Sequence, residues 1–205
     1  MSTPAERSQP LPKPRIRPGG SLEEVLSTRR ARRSFAAGQA VSLAELAQLL
    51  WAAQGVTGDY DRRTAPSAGG LHPLHLHLAV GDVDGLETGI YRYRPSQHEV
   101  IWVADGDARD DLRRATRNQE CLGEGAVDIV IAADPTATTE RYGERGWRYL
   151  YMEAGHISQN VYLQATALGL ATTSVAAFDD EAMAAAAHLP EGRVPIYAMP
   201  VGRPL

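Results

Sequence analysis

Four arginines crowd one short segment near the start of the chain. They are Arg29, Arg30, Arg32 and Arg33, interrupted only by Ala31. In a helix, Arg29 and Arg33 share one face, with Cβ atoms roughly 5–6 Å apart, and two guanidinium forks there could clamp one phosphate. A solvated cluster at a helix C-terminus and a nucleic-acid patch are the alternatives. The net charge of −4 weighs against the latter, so we predict no nucleic-acid partner.

A second segment consists mostly of small residues. Residues 66–73 read Pro-Ser-Ala-Gly-Gly-Leu-His-Pro. Small residues let the backbone approach a flat ligand closely, and free amides can then donate hydrogen bonds to it. Most Gly-Gly segments are plain turns, however, so by itself this one leaves both interpretations open.

Three histidines follow closely and raise the question of a metal. His75 and His77 share one face of a predicted strand, roughly 6.6 Å apart, and His72 precedes them. No acidic residue lies in that segment and Cys121 is distant, so a third or fourth ligand is unsupported. We therefore predict no metal site. The chain also lacks a glycine-rich turn with dinucleotide spacing, which argues against a Rossmann-type NAD site.

The composition is that of an ordinary globular domain, with 43% hydrophobic and 22% charged residues. No run reaches the roughly 18–20 apolar residues of a membrane helix, so no membrane partner is expected. Cys121 is the only cysteine and the N-terminus lacks an apolar signal core, which favours a cytoplasmic protein. Lys13 is the only lysine, so a lysine-based mechanism is excluded and arginines carry the cationic roles.

The elements that must position these residues can be predicted from periodicity and capping signals. Prolines and a closing Gly-Gly predict that residues 1–20 are a flexible leader, and a cap at Ser21 begins one domain over residues 21–205. A capping box at Ser42 starts a helix that ends at Gly55. Further helices are predicted over 107–121, 146–168 and 180–188, and strands over 74–80, 89–94, 99–104, 127–133, 171–178 and 194–201. This mixture is typical of an α+β fold.

In their order along the chain, these motifs resemble the nitroreductase superfamily of flavin enzymes, and most closely its SagB-type dehydrogenase branch. That branch includes dehydrogenases that oxidise azolines to azoles in modified peptides. The motifs are the basic pair, Leu-Leu-Trp-Ala-Ala-x-Gly from Leu49, residues 66–73, Gly-Ile-Tyr-x-Tyr from Gly89, Gly-His-Ile-Ser-Gln-Asn from Gly155, and Leu-Gly-Leu from Leu168. The resemblance implies a central mixed β-sheet flanked by helices, a long central helix at a homodimer interface, and FMN bound between the protomers.

The resemblance also implies a role for particular positions. The residues implied to bind the FMN phosphate are Arg29, Arg30, Arg33 and Arg203. The residues implied to lie against the isoalloxazine ring come from the other protomer and are Pro66, Ser67, Ala68, Gly69 and Gly70. At the edges of the ring, Asn118 or Gln119 is implied to meet the pyrimidine side, and Ser174, Val175, Ala176 and Ala177 to lie near flavin N5 and O4.

Three positions depart from the family pattern. Ala31 replaces a serine of the phosphate segment, Ala176 replaces a glutamate, and Arg141 stands where azoline-oxidising relatives have the lysine of a Lys-Tyr pair. Because an arginine cannot act as a general base, Tyr142 is the remaining candidate for catalytic proton transfer.

The function expected from the resemblance is hydride exchange between flavin N5 and a small organic or peptide-derived heterocycle. One alternative is a reductase of nitro compounds or quinones with NAD(P)H as electron donor. Another is a flavin-binding accessory subunit without turnover of its own, which the three departures would favour.

Overall fold

The computed structural model describes residues 6–16, 21–117 and 119–205 of the chain. Six α-helices lie in these residues: α1 (Leu22–Thr28), α2 (Leu43–Gln54), α3 (Arg109–Ala115), α4 (Thr136–Tyr142), α5 (Arg145–Ala167) and α6 (Asp180–Ala186). The strands are β1 (Ser8–Pro10), β2 (Val41–Ser42), β3 (Val56–Gly58), β4 (Arg62–Arg63), β5 (Leu74–Val80), β6 (Val83–Asp84), β7 (Gly89–Arg94), β8 (Glu99–Asp105), β9 (Val127–Ala133), β10 (Ala171–Thr172) and β11 (Val194–Gly202). The predicted α+β class is confirmed.

Seven strands form the central sheet in the order β1-β8-β7-β5-β9-β11-β10. Every neighbouring pair in it is antiparallel, so the prediction of a mixed sheet is wrong. Parallel neighbours need a crossover connection, whereas a tight turn reverses the chain between β7 and β8. The parallel pair among the described residues, β2 with β6, forms a small separate sheet.

The two middle strands bury both of their faces. All seven residues of β9 are buried, as expected for a continuous apolar run in a central strand. On β5, alternate leucines such as Leu76 and Leu78 join the core beneath α2 and α5. Ala79 and the β9 residue Val130 point to the other face and pack with Leu112 of α3 and Met183 of α6.

Helix α5 is the longest element and runs across the first face of the sheet. Its 23 residues span about 34 Å. Leu150, Ala154, Ile157, Val161 and Ala165 recur at helical spacing and are completely buried. The prediction of a long central helix is therefore confirmed.

The N-terminal segment departs from the prediction of a flexible leader outside the domain. Ser8–Pro10 forms the edge strand β1 against β8, and Leu11 is buried in the main core. The side chain of Gln48 bonds both the backbone N–H and the carbonyl of Arg15. Backbone pairing with an open sheet edge supplies the stabilisation that the polar composition cannot. The remaining leader residues, 1–5 and 17–20, lie outside the described residues.

Helix α2 begins as its sequence predicts. The Ser42 hydroxyl accepts a bond from the Glu45 N–H, and the Glu45 carboxylate accepts one from the Ser42 N–H. Gly55 follows the last helical residue. Within the described part of the chain, no helix is both long enough and apolar enough to cross a bilayer.

Candidate functional site

The arginine segment is not helical, contrary to the argument that placed Arg29 and Arg33 on one helix face. Helix α1 ends at Thr28, and Arg29 already has extended backbone angles. The Arg30 guanidinium turns back to bond the Ser27 carbonyl at 3.0 Å and so caps the end of α1. Downstream, the Arg32 N–H donates to the Thr172 carbonyl of β10 at 2.9 Å, which fixes the segment against the sheet.

Tyr162 of α5 joins the arginine segment to the chain after β10. The Arg29 guanidinium lies over the Tyr162 ring, with its carbon 5.2 Å from the ring centroid. The phenolic oxygen accepts a bond from the Ser174 N–H at 2.7 Å and lies 3.2 Å from the Ser174 hydroxyl. The structure therefore brings two of the predicted site segments together through a residue that the sequence analysis did not select.

Residues 174–177 do not continue the sheet as predicted. Strand β10 is limited to Ala171–Thr172, and beyond it Val175 forms an isolated bridge with Ala198. Val175 is buried, whereas Ala176 and Ala177 are exposed. These two exposed residues carry no bulky side chain, so a flat ligand could approach the chain closely here.

The turn after α3 lies beside Ala177. The prediction of a helix to residue 121 is wrong, because α3 ends at Ala115 and Thr116 is extended. The Arg117 N–H donates to the Ala177 carbonyl at 3.2 Å, so Gln119 lies two residues from that contact. Asn118, the other residue predicted at the ring edge, lies outside the described residues.

Two more predicted phosphate ligands have different surroundings. Arg33 is exposed, and its charge reaches the Cys121 thiol, where it partly offsets the rise in the pKa of Cys121 that burial causes. Arg203 instead forms a two-pronged ion pair with Glu45, both bonds being 2.8 Å. Burial disfavours the Glu45 charge, but the bonds from Arg203 and Ser42 prevail and hold its pKa below the usual value. A phosphate contact by Arg203 would have to share that ion pair.

The 66–70 segment packs elsewhere, against α4. Residues 68–70 form a short 3₁₀ turn in which Gly69 has a φ of 63°. A Cβ at Gly69 would lie 2.6 Å from the Tyr142 hydroxyl and 2.8 Å from Nη1 of Arg141, so a side chain there would displace both groups, and the positive φ itself favours glycine. The candidate proton-transfer residue Tyr142 thus borders the 66–70 segment.

Within one chain the two parts of the site are separated along α5. The 66–70 segment contacts α5 at Glu153, which interacts with the Ser67 hydroxyl. The arginine segment contacts it at Tyr162. Tyr162 follows Glu153 by nine positions, which corresponds to about 13–14 Å along the helix. One chain therefore presents two parts of the predicted site, which lie about 13–14 Å apart along the same helix.

The residues present fit a flat anionic cofactor such as FMN. Arg29, Arg32 and Arg33 form no ion pair with any residue of the described ranges. Unpaired guanidinium groups favour a phosphate. Ala176 and Ala177, two exposed residues with small side chains, follow Ser174, which Tyr162 connects to Arg29. The guanidinium groups suit the phosphate end of FMN, and the open surface at the two alanines suits its flat ring.

Comparison with known proteins agrees with this geometry. Residues 26–203 match the sequence profile of the nitroreductase family. A proposed nitroreductase of Methanocaldococcus jannaschii is 41% identical over 182 residues, which cover 89% of this chain and 90% of that protein. A trifolitoxin-processing protein of Rhizobium leguminosarum bv. trifolii is 30% identical over 128 residues, 56% of this chain and 32% of that protein.

Solved structures show the same fold. A proposed nitroreductase of Ralstonia eutropha superposes with a TM-score of 0.86 at 28% identity, over 100% of this chain and 92% of the other. A chain of the microcin synthetase complex of E. coli, bound to a truncated pro-microcin, superposes with a TM-score of 0.73 at 23% identity, over 93% and 77% of the two chains. Profile, relatives and fold agree, and the chain belongs to the nitroreductase family.

Proposed function

We propose that this protein is an FMN-dependent oxidoreductase of the SagB-type branch that dehydrogenates a peptide-derived or small heterocyclic substrate. One observation carries the proposal: Tyr162 places the Arg29 guanidinium, which forms no ion pair with a described residue, next to Ser174 and the exposed alanines that follow it. A phosphate-binding charge and a surface for a flat ring are thereby joined in one chain. Nitroreductase-family proteins typically bind FMN.

In this account each residue group has one task toward the cofactor. Arg29 and Arg33 hold the phosphate, and Gln119 with the backbone of residues 174–177 meets the ring edge. Arg30, which caps α1, and Arg203, which is paired with Glu45, act on the phosphate only from a distance. Bound FMN would supply hydride exchange with the substrate.

The 66–70 segment and Tyr142 complete the site from the other protomer of a homodimer. Because the two parts of the site lie apart along one helix, a two-fold axis across α5 would bring each beside its complement. Leu22 on α1 and Met152 on α5 are 61% and 58% exposed, apolar side chains that a partner could cover. An isologous contact through this surface is the assembly we propose.

The substrate class follows from the relatives and from the position of Tyr142. The similarity to a trifolitoxin-processing protein and to a microcin synthetase chain supports a modified peptide. An azoline becomes an azole by losing a hydride and a proton. Bound FMN would accept the hydride, and Tyr142, beside Gly69, is the group that we assign to the proton.

A second candidate function is reduction of nitro compounds or quinones with NAD(P)H. The 41% identical archaeal relative favours it, because that protein is itself a proposed nitroreductase. Arg141, which replaces the lysine of azoline-oxidising relatives, points the same way.

The two functions differ in what reduces the bound flavin. The purified holoprotein should be bleached anaerobically by an azoline-containing peptide, and the product should be lighter by two hydrogens in mass spectrometry. Rapid bleaching by NADH or NADPH with turnover of a quinone, and none by the azoline peptide, would favour the second function and contradict the first.

A further inference from the structure

Beneath the 66–70 segment, α5 buries a carboxylic acid that no part of the proposed chemistry uses. Glu153 is 3% exposed and lies between the core residues Leu150 and Ala154 on the helix surface. Its Oε1 atom has no hydrogen-bond partner among the described residues. A glutamate on the apolar face of a helix is costly, so its presence needs an explanation.

The surroundings of Glu153 are polar but leave its charge uncompensated. Arg63 on β4 is the charged group that faces it from a neighbouring element. The Arg63 guanidinium is already bound to Gln54 at 2.9 Å and to Asp61 at 2.8 Å, and it forms no ion pair with Glu153. Arg63 therefore attracts a negative charge on Glu153 without neutralising it.

Ser67 connects Glu153 to the turn above it. The Ser67 hydroxyl interacts with the Glu153 carboxyl, and its oxygen accepts a bond from the His72 N–H at 2.9 Å. The turn between them uses left-handed backbone at Gly69 and Gly70, with φ of 63° and 66°, which glycine adopts freely, and at His72, where a φ of 48° is strained for a non-glycine residue. Such backbone persists where side chains hold it.

We infer that Glu153 is a positioning residue which, acting through Ser67, holds the 66–70 segment in the conformation that faces the flavin, and that gain or loss of its proton changes that conformation. This inference rests on the proposed function for its flavin-facing part. The hydrogen bonds of the turn and the burial of Glu153 are independent of it. Glu153 touches neither substrate nor cofactor in this account.

The proton on Glu153 should be exchanged close to neutral pH. Burial raises the pKa of Glu153 to about 7, against the smaller opposing effects of Ser67 and Arg63. The ionised carboxylate can only accept a bond from Ser67, whereas the protonated form can also donate one. The other titratable or charged groups nearby are Tyr149 and His156 on α5, His72 in the turn, and Arg141 and Tyr142 of α4, which touch Gly69.

The test follows the amide signals of Gly69 and Gly70 by NMR between about pH 5.5 and about pH 8.5, in the full chain with and without FMN. In the wild type both signals should shift with a midpoint near 7, and the absorption maximum of bound flavin should shift with the same midpoint. Glu153→Gln should abolish both shifts and resemble the wild type at low pH. Ser67→Ala should uncouple the turn from the carboxyl and abolish them as well.

Glu181→Gln, an exposed substitution on α6, is the matched control and should leave both shifts in place. Shifts that persist in Glu153→Gln, or that are absent from the flavin-loaded wild type, would overturn the positioning role. If the chain binds no FMN but the Gly69 and Gly70 signals still titrate through Glu153, the proposed function is overturned, and so is the inference that the 66–70 segment faces the flavin. The inference that Glu153 holds this segment would then stand.

Discussion

Tyr162 shows how one side chain can assemble a site from segments that are distant in the sequence. The Arg29 guanidinium lies over its ring, and its hydroxyl accepts a hydrogen bond from the Ser174 N–H. The sequence offered no pattern for it, since a tyrosine in a long amphipathic helix is usually a packing residue. Glu153 was also missed, although it lies two residues before the Gly-His-Ile-Ser-Gln-Asn motif of the same helix. The sequence signal that could have identified it is a carboxylate at a position where the helical periodicity predicts an apolar residue.

A buried histidine makes a testable contribution to acid stability. His77 is 1% exposed, neither ring nitrogen has a partner within the described ranges, and burial lowers its pKa to about 3. Below the unfolded value of about 6.5, the unfolded chain binds the proton and the folded chain does not. The folded state therefore loses stability as the pH falls from about 6.5 toward 3.

His77→Leu should remove this loss. Buried Glu153 and Asp128, whose pKa values are both raised to about 7, make the folded state more stable as the pH falls from about 7 to about 4. This effect is present in both proteins, so the quantity to measure is the difference between their free energies of unfolding. In urea unfolding, the variant should gain stability relative to the wild type as the pH falls from about 6.5 to about 4.5. A difference that is constant with pH would contradict the neutral buried histidine.

Secondary-structure elements were predicted best where a local signal and tertiary packing agree. The capping box at Ser42, the alternation of β5 and the apolar run of β9 each specify an element that the core then buries. Prediction failed where long-range pairing decides the conformation. The arginine segment is held by Thr172, and residues 8–10 by the open edge of β8, partners that periodicity cannot reveal.

Strand β1 should accordingly matter for stability. Deleting residues 1–16 removes the ladder with β8, the buried side chain of Leu11 and the bonds between Arg15 and Gln48. Burial of one leucine alone is worth roughly 1.5–3 kcal/mol. Thermal unfolding followed by circular dichroism should show a midpoint several degrees lower, since 1 kcal/mol corresponds to about 2–4 °C in a chain of this size.

The point substitution Leu11→Ala should produce part of that decrease without shortening the chain. An unchanged midpoint in both proteins would mean that this segment adds nothing to the stability of the domain, as first expected for a flexible leader.

In our proposal one chain carries two incomplete parts of the site, so function requires the homodimer. The apolar surface of α1 and α5 is the surface through which the second copy would complete them. Met152→Asp places a charge on this surface and should shift the light-scattering mass from two chains to one while weakening flavin binding in parallel. Tyr60→Asp, at a side chain 94% exposed outside that surface, is the control. A wild type of one chain mass with full flavin would contradict the assembly.

Flavin binding tests the central claim most directly. Flavin-free protein titrated with FMN, followed by the quenching of flavin fluorescence, should saturate at one FMN per chain. Two charge-assisted bonds contribute roughly 1.5–3 kcal/mol each, so the double substitution Arg29→Ala with Arg33→Ala should weaken binding about 100-fold or more. Arg114→Ala, an exposed arginine of α3, should bind FMN as the wild type does. No saturable binding by the wild type, or equal affinity in the double variant, would contradict the account.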